Sequence, residues 1–346
     1  MNFVHLGCKI LAMSASRISP FRWLAPGGTH ARLSVFIFHR VLPQPDPLLP
    51  DEPDAVHFDR IVGFIARQFN VLSMTEAVQR LTHHNLPPAA ACITFDDGYA
   101  DNLTVATPIL RKYEVSATFF IATGYIGGGR MWNDTIIESI RLAPAGEIDL
   151  TDLGLSAYLI NDSASRVNLY QGLLRTLKHR APADRQAVAD EIGLRMALQP
   201  QPTLMLNSGQ VRELNTQGME VGAHTITHPI LSKVDEATAK REIGGSAEIL
   251  TSWLGERPKF FAYPNGVPEV DYGVRDTRLV REAGFHAATS TASGVNGANA
   301  DVFQLRRFTP WDRSMAKFGL RCAHNLLARA QQPVVPSRPA ASSRTP

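Results

Sequence analysis

The stretch Ala91-Cys92-Ile93-Thr94-Phe95-Asp96-Asp97-Gly98-Tyr99 decides the fold. Five residues suited to a buried strand give way at once to two carboxylates and a glycine. Like charges so close resist joint ionisation, so a strand ending in Asp96-Asp97 calls for a nearby cation. Neighbouring side chains on an extended chain point to opposite sides, yet a turn at Gly98 can aim both carboxylates into one pocket. Taken alone, Asp-Asp-Gly is equally ordinary turn chemistry.

The same pattern recurs along the chain. Short β-branched or aromatic runs predict strands over 34–38, 91–95, 117–122, 219–223, 260–263, 286–289 and 305–309. Helical patterns fall between them. Phe58, Ile61, Ile65 and Phe69 share one face, and Ala239, Ile243, Ala247, Leu250 and Leu254 share another. Asp235 caps the start of the second helix, and Gly255 with Pro258 marks its stop. Such alternation predicts a parallel sheet covered by helices, open or closed into a barrel.

His224-Thr225-Ile226-Thr227-His228-Pro229 also follows a predicted strand. Pro229 disfavours helical geometry at His228, so the two histidines sit in a single turn or tight loop. With Asp96-Asp97 they supply a two-histidine, one-carboxylate set, which suits zinc and leaves positions open for water and substrate. Phe261-Ala262-Tyr263-Pro264-Asn265-Gly266 is again strand then turn, and His39 ends the apolar run Ser34-Val35-Phe36-Ile37-Phe38. Thus His39, Asp96, Asp97, His224 and Asn265 each follow a strand's carboxyl end. In parallel α/β folds those ends share one face, where active sites form.

The 346 residues are 44% hydrophobic and 19% charged, enough apolar material for a sizeable core and too much for wholesale disorder. A net charge of +3 is too small to point to nucleic acid. Cys8, Cys92 and Cys322 are odd in number and widely separated, so they form neither a disulfide framework nor a CxxC zinc site. No apolar stretch approaches the ~20 residues of a membrane-spanning helix.

Residues 1–31 are expected to be a leader of uncertain role. The weakly apolar 3–13 run is interrupted by Lys9, and Leu6-Gly7-Cys8 resembles a lipoprotein signal end without a hydrophobic segment ahead of it. The cytoplasm is the default compartment, with an envelope or secreted location left open. Residues 32–330 are expected to form one globular unit and the proline-rich 331–346 a disordered tail. Helical patterns at 167–178 and 183–198 lie in an expected helical insertion, about 128–218, that either caps the barrel rim or acts as a lid.

Together, Thr94-Phe95-Asp96-Asp97-Gly98, His224-Thr225-x-x-His228-Pro229 and Phe261-Ala262-Tyr263-Pro264-x-Gly266 resemble the successive motifs of the polysaccharide deacetylases. This is the NodB-homology group, or carbohydrate esterase family four. The resemblance spans roughly 32–310. It implies a distorted, incomplete (β/α) barrel and metal-dependent removal of N-acetyl groups from amino sugars of a glycan. By position it makes Asp97, His224 and His228 the ligands of one divalent ion, Zn2+ foremost, with Co2+ or Ni2+ as alternatives. It makes Asp96 the general base and the Asn265 backbone N–H an oxyanion donor. Phe36-Ile37-Phe38-His39-Arg40-Val41 is similar to the strand that, in the biofilm-exopolysaccharide branch, supplies a general-acid histidine, here His39.

The chain departs from the family at two points. Ala262 stands where many members carry an arginine that pairs with the base. Leu305-Arg306-Arg307-Phe308 stands where a Leu-x-His motif often supplies the acid. Arg307 is the expected replacement for the arginine, with Arg306 as the other candidate. Trp132, Tyr263 and Trp311 are aromatic residues for stacking on sugar rings or for packing. Two other functions remain open at this level: a non-catalytic glycan-binding module with a vestigial metal site, and another metal hydrolase, such as an O-acetyl esterase or cyclic amidase, on the same scaffold.

Overall fold

The computed structural model describes residues 19–201, 203–310 and 312–327. Seven strands form the main sheet in the order β1 (Leu33–Phe38), β2 (Ala90–Phe95), β3 (Thr118–Ile121), β4 (Glu220–Ala223), β5 (Phe260–Ala262), β6 (Ala287–Ser293) and β7 (Leu305–Arg307). Their pairings are all parallel. The two-residue strand Asn70–Val71 adds to β2 at its amino end. A parallel bridge between Phe36 and Phe308 brings β1 against the end of β7, so the sheet curls into a nearly closed barrel. This is the distorted (β/α) barrel that the family resemblance implies; the strand–helix alternation alone left the parallel sheet open or closed.

The alternation of side chains along each strand sorts the core into two parts. Val35, Cys92, Phe120, Phe260, Ala262 and Leu305 belong to one cluster. Phe36, Phe38, Ile93, Phe95, Phe119 and Phe261 belong to the other, packed with the covering helices. Helix α1 (Ala55–Gln68) buries Phe58, Ile61 and Ile65. It begins three residues before the apolar pattern does, because the Asp54 side chain accepts from His57 N and caps it.

Between β3 and β4 lie α2 (Trp132–Leu142), α3 (Ser163–Leu177) and α4 (Pro182–Arg195), with an antiparallel hairpin of Gly146–Asp149 and Ala157–Ile160. They surround a core of their own that includes Ile136, Ile140, Leu173 and Ile192. Next come α5 (Glu236–Leu254) and α6 (Val274–Glu282). Asp235 caps α5, and Gly255 ends it at φ 77.

Residues 19–31, sequence-assigned to the leader, pack on the barrel. Phe21 touches Phe64 and Phe69, and the Ala25 carbonyl accepts from Ala89 N. The apolar pattern there is too short to read, since only one helical turn is involved. Residues 1–18 and the 331–346 tail, with Cys8 and Trp311, lie outside the described residues. Cys92 and Cys322 are buried free thiols. Among the described residues no helix is long and apolar enough to cross a membrane.

Candidate active site

The two carboxylates after β2 part company at once. Asp97 and Gly98 take left-handed conformations, φ 79 and 92, and this sharp turn sends the two side chains to different partners within one buried site. Asp97 Oδ1 lies 3.5 Å from His224 Nε2 and 3.6 Å from His228 Nε2. The two Nε2 atoms are 3.1 Å apart. Ligands about 2.0–2.2 Å from a tetrahedral ion sit roughly 3.3 Å from one another, so the three atoms fit around one small cation.

The hydrogen bonding supports the fit. His224 Nδ1 is 2.7 Å from the Ala262 carbonyl. A carbonyl can only accept, so Nδ1 carries the proton and Nε2 presents its lone pair to His228 and Asp97. Asp97 Oδ1 is buried without any hydrogen-bond donor. Two ring nitrogens facing each other beside an unpaired carboxylate oxygen are unfavourable unless a cation lies between them.

The charges agree. Burial opposes ionisation of Asp97, but the two histidines and His39 outweigh it and hold its carboxyl well below the usual range. Burial, then repulsion from His224, pushes His228 down to about 4, so its ring is neutral at physiological pH, as a ligand must be. For His224 burial acts downward and is overcome by Asp96 and Asp97, which raise it. The negative potential that holds a proton there equally favours a metal ion.

Asp96 turns instead to Arg307. Nη1 and Nη2 each donate to one carboxylate oxygen at 2.7 Å, a bidentate pair. Arg307 Nε donates to the Ser290 carbonyl at 2.8 Å, and the guanidinium lies over the Phe120 ring inside the barrel. Burial raises the Asp96 carboxyl, but Arg307 and His224 together bring it below its ordinary value. Of the two arginines considered, β7 delivers Arg307. Arg306 points away, donating to the Ser293 carbonyl.

His39 follows β1, with its carbonyl held by Asn102 Nδ2 at 2.9 Å, and its ring is near enough to influence both Asp96 and Asp97. Asn265 has φ 59. Its carbonyl accepts from Thr291 Oγ1, while its backbone N–H has no acceptor among the described residues. Tyr263 is fully buried, stacked on Tyr272 with centroids 3.9 Å apart, and its hydroxyl donates to the Phe303 carbonyl. That ring is core, so it offers no face to a sugar. Trp132 opens α2 half-buried, with the Arg185 guanidinium over its ring.

Two parts of the site have no sequence signature. The Ala262 carbonyl orients His224 through the backbone, which side-chain motifs do not report. Tyr99 donates to Asp134 of α2 at 2.9 Å, and nothing in the local sequence links Asp134 to the Asp96-Asp97 turn.

A family model for polysaccharide deacetylases matches residues 83–150 and 157–288, more than half of the chain. The chain belongs to the polysaccharide deacetylase family. The family is described as one of deacetylases acting on polysaccharides. Among curated proteins, the chain is 31% identical over 98 residues to YxkH of Bacillus subtilis (strain 168), provisionally described as a polysaccharide deacetylase. That match covers 28% of this chain and spans only about a third, 34%, of YxkH. Solved structures extend the likeness of fold. IcaB from Ammonifex degensii superposes with a TM-score of 0.55 at 19% identity, over 88% of this chain and 99% of that one. The Streptococcus pyogenes deacetylase PplD, in complex with acetate, gives 0.54 at 18% identity over 81% and 92%.

Proposed function

We propose that this deacetylase removes N-acetyl groups from amino sugars of a polysaccharide or glycan intermediate, with a divalent metal at Asp97, His224 and His228. One observation carries the reading: the ligand triad lies beside a buried carboxylate, Asp96, that Arg307 holds by both oxygens. When bound, a divalent ion, Zn2+ foremost, acts as a Lewis acid toward the acetyl carbonyl and acidifies a water.

The chain's own groups do the rest. Arg307 keeps Asp96 ionised and fixed, so the carboxylate is ready to take a proton from the attacking water. The uncommitted Asn265 N–H faces no competing acceptor and can hold the developing oxyanion, a contribution of about 3 kcal/mol by analogy with other such donors. His39 is the group assigned to protonate the leaving amine, which departs poorly as an anion. A vestigial site would leave the base without a partner where Ala262 stands, and here Arg307 holds that carboxylate.

The test measures metal content and acetate release on N-acetylated oligosaccharides. Asp97→Ala or His224→Ala should lose both, whereas Asp96→Asn should keep the metal and lose turnover by at least 100-fold, in line with a lost general base (about 10²–10⁴). Full activity in Asp96→Asn would remove it as the base. Normal rates in His39→Ala would remove His39 from the mechanism. Glycan binding without acetate release in Zn2+-loaded protein would overturn the proposal altogether.

A further inference from the structure

The loop that carries both histidine ligands is conformationally costly. Thr225 and His228 have φ 66 and 54, and a β-branched residue in the left-handed region is strained by about 1–2 kcal/mol. Such a loop persists only where its surroundings over-determine it. Its carbonyls are taken on one side by a single turn: Thr123 N donates to Thr225 O, Gly124 N to Ile226 O, and the Tyr125 hydroxyl to Thr227 O. His228 N donates to Thr225 Oγ1 at 3.0 Å. Two adjacent N–H groups, those of Ile226 and Thr227, remain and point the same way, as in the backbone concavities that capture anions.

Glu242 of α5 fills that concavity. Its Oε2 accepts from Ile226 N and from Thr227 N, each at 2.8 Å, and its Oε1 accepts from Thr227 Oγ1 at 2.7 Å. One turn further along α5, Gly245 leaves room for the loop, since a Cβ there would lie 2.7 Å from Ile226 Cδ1. The helix thus meets the loop midway between the two ligands with one carboxylate and one gap.

We infer that Glu242 is a positioning residue for the metal centre: by holding Ile226 and Thr227 it sets the separation of His224 and His228 and so the affinity for the ion. The inference rests on the proposed metal reading and goes beyond it, because Glu242 touches neither the ion's ligands nor substrate. Partners that orient metal ligands typically contribute about 10- to 100-fold to metal affinity.

The experiment is competition of the purified full chain with a Zn2+ chelator, wild type against Glu242→Gln, with folding followed by circular dichroism. With its oxygen on the two backbone N–H groups the amide can turn its NH2 to Thr227 Oγ1, but it loses the negative charge that strengthens all three bonds. The Zn2+ dissociation constant should rise about 10- to 100-fold. Saturating Zn2+ should restore acetate release with KM unchanged, which a purely structural defect would not permit. Wild-type Zn2+ affinity in Glu242→Gln overturns the inference alone. A wild-type chain that takes up no Zn2+ overturns the metal reading and this inference with it. Where Glu242→Gln does not fold, Thr227→Val decides: it changes an exposed residue and removes one of the three bonds. It should weaken Zn2+ binding severalfold, and an unchanged constant counts against Glu242.

Discussion

At Asp96 two opposing influences meet. Burial disfavours the carboxylate, and Arg307 with His224 outweighs it. Arg307 is itself almost fully buried and answers to Asp96 through both oxygens. Removing one partner of such a pair leaves an uncompensated buried charge, which costs about 3–5 kcal/mol. Arg307→Met should therefore lower stability by about that amount in urea unfolding. It should also shift the acid limb of the kcat/KM profile to higher pH, because burial then acts on Asp96 without its main counterweight. An unmoved acid limb in folded Arg307→Met would mean that Asp96 is not the group that titrates. The pairing was half legible beforehand. Sequence order narrowed the replacement arginine to two adjacent residues, but which of them faces the barrel interior depends on the register of β7, where a bulge interrupts the pairing with β6.

Among the elements, β3 and β4 show how small residues make the barrel fit. Phe120 points inward, and Gly222 on the neighbouring strand leaves space for it. A Cβ on Gly222 would come within 2.5 Å of Phe120 Cδ1 and 3.0 Å of the Phe260 carbonyl. Neither the strand backbone nor the ring can move far in a close-packed interior. Gly222→Ala should cost about 1–3 kcal/mol in chemical denaturation. It should also disturb Arg307, whose guanidinium lies over the same ring. A variant as stable as wild type would show that the interior is looser than these contacts require. The strands themselves were readable from β-branched and aromatic runs. The glycine's role was not, because it depends on which side chain the adjacent strand turns toward it.

Across the whole molecule, the helical segment between β3 and β4 reaches the active site through Asp134 of α2, which accepts from the Tyr99 hydroxyl. Burial raises the Asp134 carboxyl to about 7, and Asp97 adds to the rise. The ordinary value is 3.8, so between roughly pH 4 and 7 the folded chain keeps a proton that the unfolded chain has released. Stability from this group is complete below that window and declines as pH rises through it, by on the order of 4 kcal/mol. Asp134→Asn should flatten the pH dependence of unfolding between pH 4 and 7. Identical profiles for variant and wild type would show that Asp134 ionises freely in the fold.

The sequence by itself determined the strand–helix alternation, the parallel α/β class, and the side chains Asp96, Asp97, His224 and His228 at strand ends. Those are local properties: apolar periodicity, turn chemistry and motif spacing are written within a few residues of each other. Only the tertiary structure decided that Arg307 and not Arg306 grips Asp96, that Tyr263 is core, that the Ala262 carbonyl meets His224, and that Glu242 and Asp134 bond the segments carrying the site residues. Each of these is a contact between groups far apart along the chain. Strand register and helix packing set such contacts, and no window of sequence contains them.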